Sequence, residues 1–120
     1  MSFSSPVPEG WIPARIRLES GTPFVDWRPL GDASFREPFY EDSLRNALSN
    51  REVSDQRIRT RIDALLTVAS QRPEIPVHGI IHHWSRCGST LVSQMLAAEP
   101  DNLVLSEAPP IDALMHWMLS

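Results

Sequence analysis

The chain has no lysine: all eleven basic residues are arginine. A nucleotide-binding loop of the form GxxxxGK[ST] is therefore excluded, because its lysine is the phosphate ligand. A Schiff-base mechanism is excluded for the same reason. Cys87 is the single cysteine, so no intrachain disulfide can form, which fits a reducing compartment. No apolar run approaches the ~18 residues of a membrane span. Met1 to Gly10 has neither a basic start nor an apolar centre, so no secretory signal is expected there. The expected location is the cytoplasm, without membrane association. A net charge of −4 argues against binding nucleic acid through bulk charge. What remains is a chain of 120 residues, long enough for one small domain with a core.

Residues 1–14 hold Pro6, Pro8, Gly10 and Pro13 and read as an extended lead-in. Arg15 to Glu19 and Phe24 to Arg28 each alternate polar with apolar, and Ser20-Gly21-Thr22-Pro23 separates them. This predicts a short antiparallel hairpin, with Trp11 and Trp27 as packing residues. A helix is expected from Pro38 to Leu48, with Glu41 and Asp42 at the positive end of its dipole. Phe39, Tyr40, Leu44 and Leu48 form its apolar stripe. A second helix is expected from Asp55 to Ala69, with Ser54 as N-cap. Ile58, Ile62, Leu65, Leu66 and Ala69 would be its buried face. Arg57, Arg59 and Arg61 lie off that stripe, and Asp55 and Asp63 are interspersed, so a solvated face is expected there.

After the proline-punctuated connector 71–76 the pattern becomes strand 77–82, helix 89–98, strand 103–105 and a helix from Pro110. That order implies a parallel sheet with a right-handed crossover. Ligands in such sheets bind at the C-terminal ends of the strands. Residues Trp84 to Thr90 and Ser106-Glu107 would then share one edge. The expected organisation is residues 1–76 as an N-terminal extension, a hairpin plus two helices, and residues 77–120 as the start of an incomplete α/β domain. The helix from Pro110 has an apolar last turn, which needs a covering surface. The remainder of a longer chain or a partner protein would supply it.

The stretch His82-His83-Trp84-Ser85-Arg86-Cys87-Gly88-Ser89-Thr90 carries the chemistry. A phosphatase-type loop needs cysteine first and arginine six positions later, but position 93 is Ser93. A nucleophile elbow needs GxSxG, which is absent around Ser85 and Ser89. His82 and His83 are adjacent on the expected strand and point to opposite faces. With no CxxC or HxxxH spacing, a zinc site with Cys87 is not expected. An anion-binding loop fits instead. Gly88 admits close backbone approach. Ser89 and Thr90 offer hydroxyls and helix N-terminal N–H groups. Arg86 adds a planar two-pronged cation. The plainer alternative is an ordinary strand-to-helix turn with a Ser/Thr cap.

At these residues the chain resembles the sulfotransferase family, in particular the N-terminal portion of its bacterial-type members. The family's 5′-phosphosulfate loop reads P-K-S-G-T-T-W, or P-R-S-G-T-T-L in the tyrosylprotein branch. Ser85-Arg86-Cys87-Gly88-Ser89-Thr90-Leu91 is similar to the arginine-bearing form, with Cys87 in the serine position. The likeness runs on through Pro100 to Ser106-Glu107, about a third of the chain. It implies a P-loop fold of the P-loop NTPase superfamily and a metal-free transfer of sulfonate from PAPS to an acceptor hydroxyl. It also implies that Arg86, Cys87, Gly88, Ser89 and Thr90 hold the donor, with Arg86 neutralising charge on the bridging oxygen. Cys87 brings a weaker donor than serine at its side chain. A reactive thiol at Cys87 is a further alternative.

By the same resemblance Glu107 is the base on the acceptor hydroxyl, and the alternative is a helix-capping or ion-pairing carboxylate. Many relatives use histidine, which leaves His82, His83 and His116 as weaker alternatives. The 3′-phosphate ligands of the family lie later than residue 120, so this chain alone is expected to be an inactive portion of the enzyme. The acceptor is not readable from these residues. Two other functions fit the pattern: a P-loop nucleotide-binding or kinase-like protein, and a non-enzymatic interaction module.

Overall fold

Two strands, β1 (Trp11–Glu19) and β2 (Thr22–Pro29), form the expected hairpin and extend it at the open end. Their turn is only Ser20-Gly21, between the paired residues Glu19 and Thr22. Both turn residues have positive φ, 51° and 80°. That handedness matches the twist of the flanking strands, which is why Gly21 suits this corner. The computed structural model describes residues 5–30, 39–49, 56–84 and 86–120. Over these it is a small α/β fold with one three-stranded antiparallel sheet, ordered β1-β2-β3, and four helices.

The third strand, β3 (Ile58–Arg61), runs antiparallel to β2. It corrects the expectation of a helix over these residues. Ile58, Ile62 and Leu65 satisfy a helical stripe, but Ile58-Arg59-Thr60-Arg61 also alternates, and its partners decide the outcome. Thr60 Oγ1 accepts a hydrogen bond from Trp27 Nε1 at 2.8 Å. On the opposite face Arg59 grips Asp26 at 2.7 Å and Glu19 at 2.8 Å. The hydrogen bond to Asp26, then the charges of Asp26 and Glu19, raise the Arg59 pKa further above its ordinary value. The arginines read as a merely solvated face therefore include one that ties all three strands together. The expected N-cap Ser54 and residue Asp55 lie outside the described residues, as does Pro38.

The remaining helices are α1 (Tyr40–Ala47), α2 (Ile62–Gln71), α3 (Ser89–Ala97) and α4 (Pro109–Leu119). The sheet period puts Val25, Trp27, Ile16 and Ile58 on one face, where α2 covers them. Val7, Val25, Trp27 and Val68 are buried there, with Trp11, Ile62 and Leu65 packed around them. On α2, Val68 takes the inward position expected of Leu66 and Ala69. Leu66 is 73% exposed, and Ala69 is exposed too. Arg72 closes this layer by donating to the carbonyls of Trp11 at 2.7 Å and Pro8 at 3.2 Å.

A β-bulge at Pro13–Arg15 shifts the register of β1. Ile12 and Ala14 pack against a second cluster, Tyr40, Leu44 and Ala108. Of the stripe expected on α1, Tyr40 and Leu44 are buried, Leu48 is half-buried and Phe39 is exposed. Helix α4 lies against β1.

The parallel sheet is the other correction. Neither 77–82 nor 103–105 is a strand, and the one sheet among the described residues is antiparallel. A parallel strand needs hydrogen-bonded neighbours and a cover on each face. Residues 77–84 have neither and are exposed throughout. Among the described residues, all but three of the exposed large apolar side chains lie beyond residue 74, the three being Leu18, Phe39 and Leu66. The first half thus closes the larger core, while most large apolar side chains described beyond residue 74 stay on the surface. No helix among the described residues is long and apolar enough to cross a membrane.

Candidate functional site

The segment leading to α3 has a distinctive backbone. Arg86 has φ 59° and Gly88 has φ 91°, while Cys87 between them stays at negative φ. Alternation of handedness over successive residues turns neighbouring N–H groups toward one side, which makes a concave anion receptor. Gly88 is also the residue before α3, and no side chain caps that helix. The first intrahelical bond at this end runs from Val92 N–H to the Gly88 carbonyl. The N–H groups of Ser89, Thr90 and Leu91 are therefore the orphan donors of the helix start. A β-carbon built at Gly88 meets no atom within 4 Å, so the approach to the loop is open.

Arg86, Cys87 and Thr90 are exposed, and Ser89 is half-buried. Cys87 is a free thiol. Buried Ser93, one turn into α3, donates to the Thr90 carbonyl at 2.9 Å. Ser85 lies outside the described residues. His82 and His83 are exposed, and a His83 ring nitrogen lies 3.1 Å from the Trp84 carbonyl. His116 sits on α4 beside Asp112, at 3.5 Å. No group of three or more His, Cys, Asp or Glu among the described residues is placed to hold a metal ion.

Glu107 lies just before α4, exposed and left-handed with φ 50°. Only three non-glycine residues among those described have positive φ: Ser20, Arg86 and Glu107. Ser20 belongs to the hairpin turn, so the other two are the arginine and the carboxylate singled out by the loop chemistry. Such residues strain the backbone by about 1 kcal/mol or more and concentrate at functional positions. No hydrogen bond or ion pair joins the two side chains. The parallel strands that would align them on one edge are not formed.

One contributor was hidden from the motif reading. Tyr40, read only as core, donates its backbone N–H to the Ser106 carbonyl at 2.9 Å. Its hydroxyl donates to the Pro13 carbonyl at 2.6 Å. Burial pushes its phenol up to about 12. A helix-starting aromatic carries no motif, so only the tertiary contact reveals this role.

No family model matches the chain, and no curated protein or solved structure matches it.

Proposed function

We propose that residues 86–91 are the donor-phosphate cradle of a sulfotransferase-like protein and that Glu107 is its base. The observation that carries this reading is positive φ at both Arg86 and Gly88, either side of Cys87, running straight into an uncapped helix start. The residues fit a phosphate: main-chain donors, an open approach and one guanidinium with its charge unspent. They also fit the absence of lysine, since arginine supplies the only fixed positive charge at the loop.

PAPS, when bound, supplies the sulfonyl group. Arg86 and the N–H groups of residues 87–90 hold the 5′-phosphate. Arg86 also stabilises negative charge on the bridging oxygen as its bond to sulfur breaks. Glu107 takes the proton of the acceptor hydroxyl as the new oxygen–sulfur bond forms. The uncovered apolar surface beyond residue 74 supports the view that this chain is one portion of the enzyme. Alone, it holds part of a donor site and does not turn over.

The test is titration of the ¹⁵N-labelled chain with adenosine 3′,5′-bisphosphate and with inorganic phosphate. Both should shift the amides of Cys87 to Leu91 with weak affinity, and Arg86→Ala should abolish the shifts. Unmoved amides would overturn the proposal. Binding of ATP only with Mg²⁺ would instead identify a nucleotide-binding relative.

A further inference from the structure

Glu107 is held from both sides by the N-terminal half of the chain. The carbonyl before it, Ser106, accepts the Tyr40 N–H. The residue after it, Ala108, is buried with Tyr40 and Leu44. Ala108 is in turn the N-cap of α4, its carbonyl accepting from Ile111 and Asp112 at 3.0 and 3.1 Å. Tyr40 is itself fixed, because its hydroxyl reaches the bulged strand β1 at Pro13. The path from the sheet to Glu107 is therefore three residues long: Pro13, Tyr40, Ser106.

We infer that Tyr40 is a positioning residue for Glu107. The hairpin and α1 are the platform that keeps this carboxylate left-handed and facing solvent. The inference rests on the proposed role of Glu107 as base and gives residues 1–76 a task within that chemistry. A left-handed glutamate relaxes to ordinary φ unless its flanks are over-determined. Here the flanks are a 2.9 Å hydrogen bond on one side and a buried alanine on the other. The Tyr40 side chain is buried in the same cluster as that alanine, its amide makes that bond, and its hydroxyl anchors both to the sheet. A residue needed only for the core would require the ring alone.

The experiment uses the ¹⁵N-labelled 120-residue chain. A left-handed residue brings its own amide and α protons close, giving a strong intraresidue cross-relaxation peak at Glu107. Tyr40→Phe keeps the ring and the Ser106 bond, so the Glu107 peak should persist. Loss of the Pro13 tether should speed exchange of the residue-40 amide roughly five- to tenfold, the worth of one hydrogen bond. Tyr40→Ala should erase the Glu107 peak. Val68→Ala, which weakens the other cluster, should leave both readouts unchanged. Persistence of the Glu107 peak in folded Tyr40→Ala would overturn the inference. Should that variant fail to fold, unchanged exchange in Tyr40→Phe would overturn it. None of these readouts involves a donor ligand, so they stand or fall separately from phosphate binding at residues 86–91.

Discussion

Gly21 and Gly88 form a matched pair for testing the anion loop. Their φ values are 80° and 91°, and a β-carbon at either meets no atom within 4 Å. Alanine at each position therefore brings backbone strain without a clash, about 1–2 kcal/mol for an L-residue held left-handed. The surroundings then separate the two effects. Gly21 sits in a two-residue turn whose strands are registered on both sides, so the strain cannot be relieved without losing the hairpin. Gly21→Ala should lower global stability by about 1–2 kcal/mol. Gly88 is exposed and lies outside the sheet, after exposed Arg86 and Cys87, so its loop can relax locally, and Gly88→Ala should change the urea midpoint little.

That relaxation undoes the alternating backbone. Phosphate affinity should then fall by the energy needed to restore it, about five- to thirtyfold for 1–2 kcal/mol. Urea unfolding followed by tryptophan fluorescence reads the first quantity, and phosphate titration of the Ser89–Leu91 amides reads the second. Equal phosphate affinity in wild type and Gly88→Ala would refute the claim that backbone handedness at residue 88 makes the receptor. So would an equal loss of affinity in Gly21→Ala.

Two further outcomes follow from the core. Tyr40 is the only tyrosine, so phenolate absorbance reports it alone; in the folded chain it should titrate near 12 rather than 10.0, because burial disfavours the charged form. The folded state then holds a proton that the unfolded state has released, so stability should be intact below pH 10 and decline as pH rises toward 12. Arg72→Met keeps the aliphatic stem but removes the donors to Trp11 and Pro8; a loss of about 1–3 kcal/mol is expected, with earlier protease cleavage before Trp11, and an unchanged cleavage pattern would show that the bonds do not hold this segment.

The hairpin was legible because alternation and a glycine-bearing turn are local properties, and the structure keeps both. Helices α3 and α4 were legible from their own apolar spacing and from Pro109 and Pro110 at the helix start. Strand β3 was not, because Ile58, Ile62 and Leu65 satisfy a helical period equally well. What decides for a strand is non-local: a hydroxyl for Trp27 and carboxylates for Arg59, contributed by residues more than thirty positions away. Residues 77–82 show the converse. Their composition suits a buried parallel strand, but composition cannot supply the neighbouring strands that such a conformation needs. At the candidate site the loop residues could be named from sequence. The left-handed geometry of Arg86 and Glu107 could not, since neither is a residue type that announces it.

Strand β1 carries its own deterrent against pairing with another molecule. It lies at the sheet border, where Pro13 removes one amide from the outward row and the adjoining bulge throws the next out of step. Further along, Arg15 and Arg17 are charged side chains paired with Glu41 and Asp26, which a docking strand would have to displace or desolvate. The tract from Val77 to His82 has no such safeguard: no proline, no permanently charged side chain and no irregular pairing. That tract is the better template of the two for intermolecular pairing, so Ile80→Lys should lower the tendency of the chain to aggregate, read by light scattering.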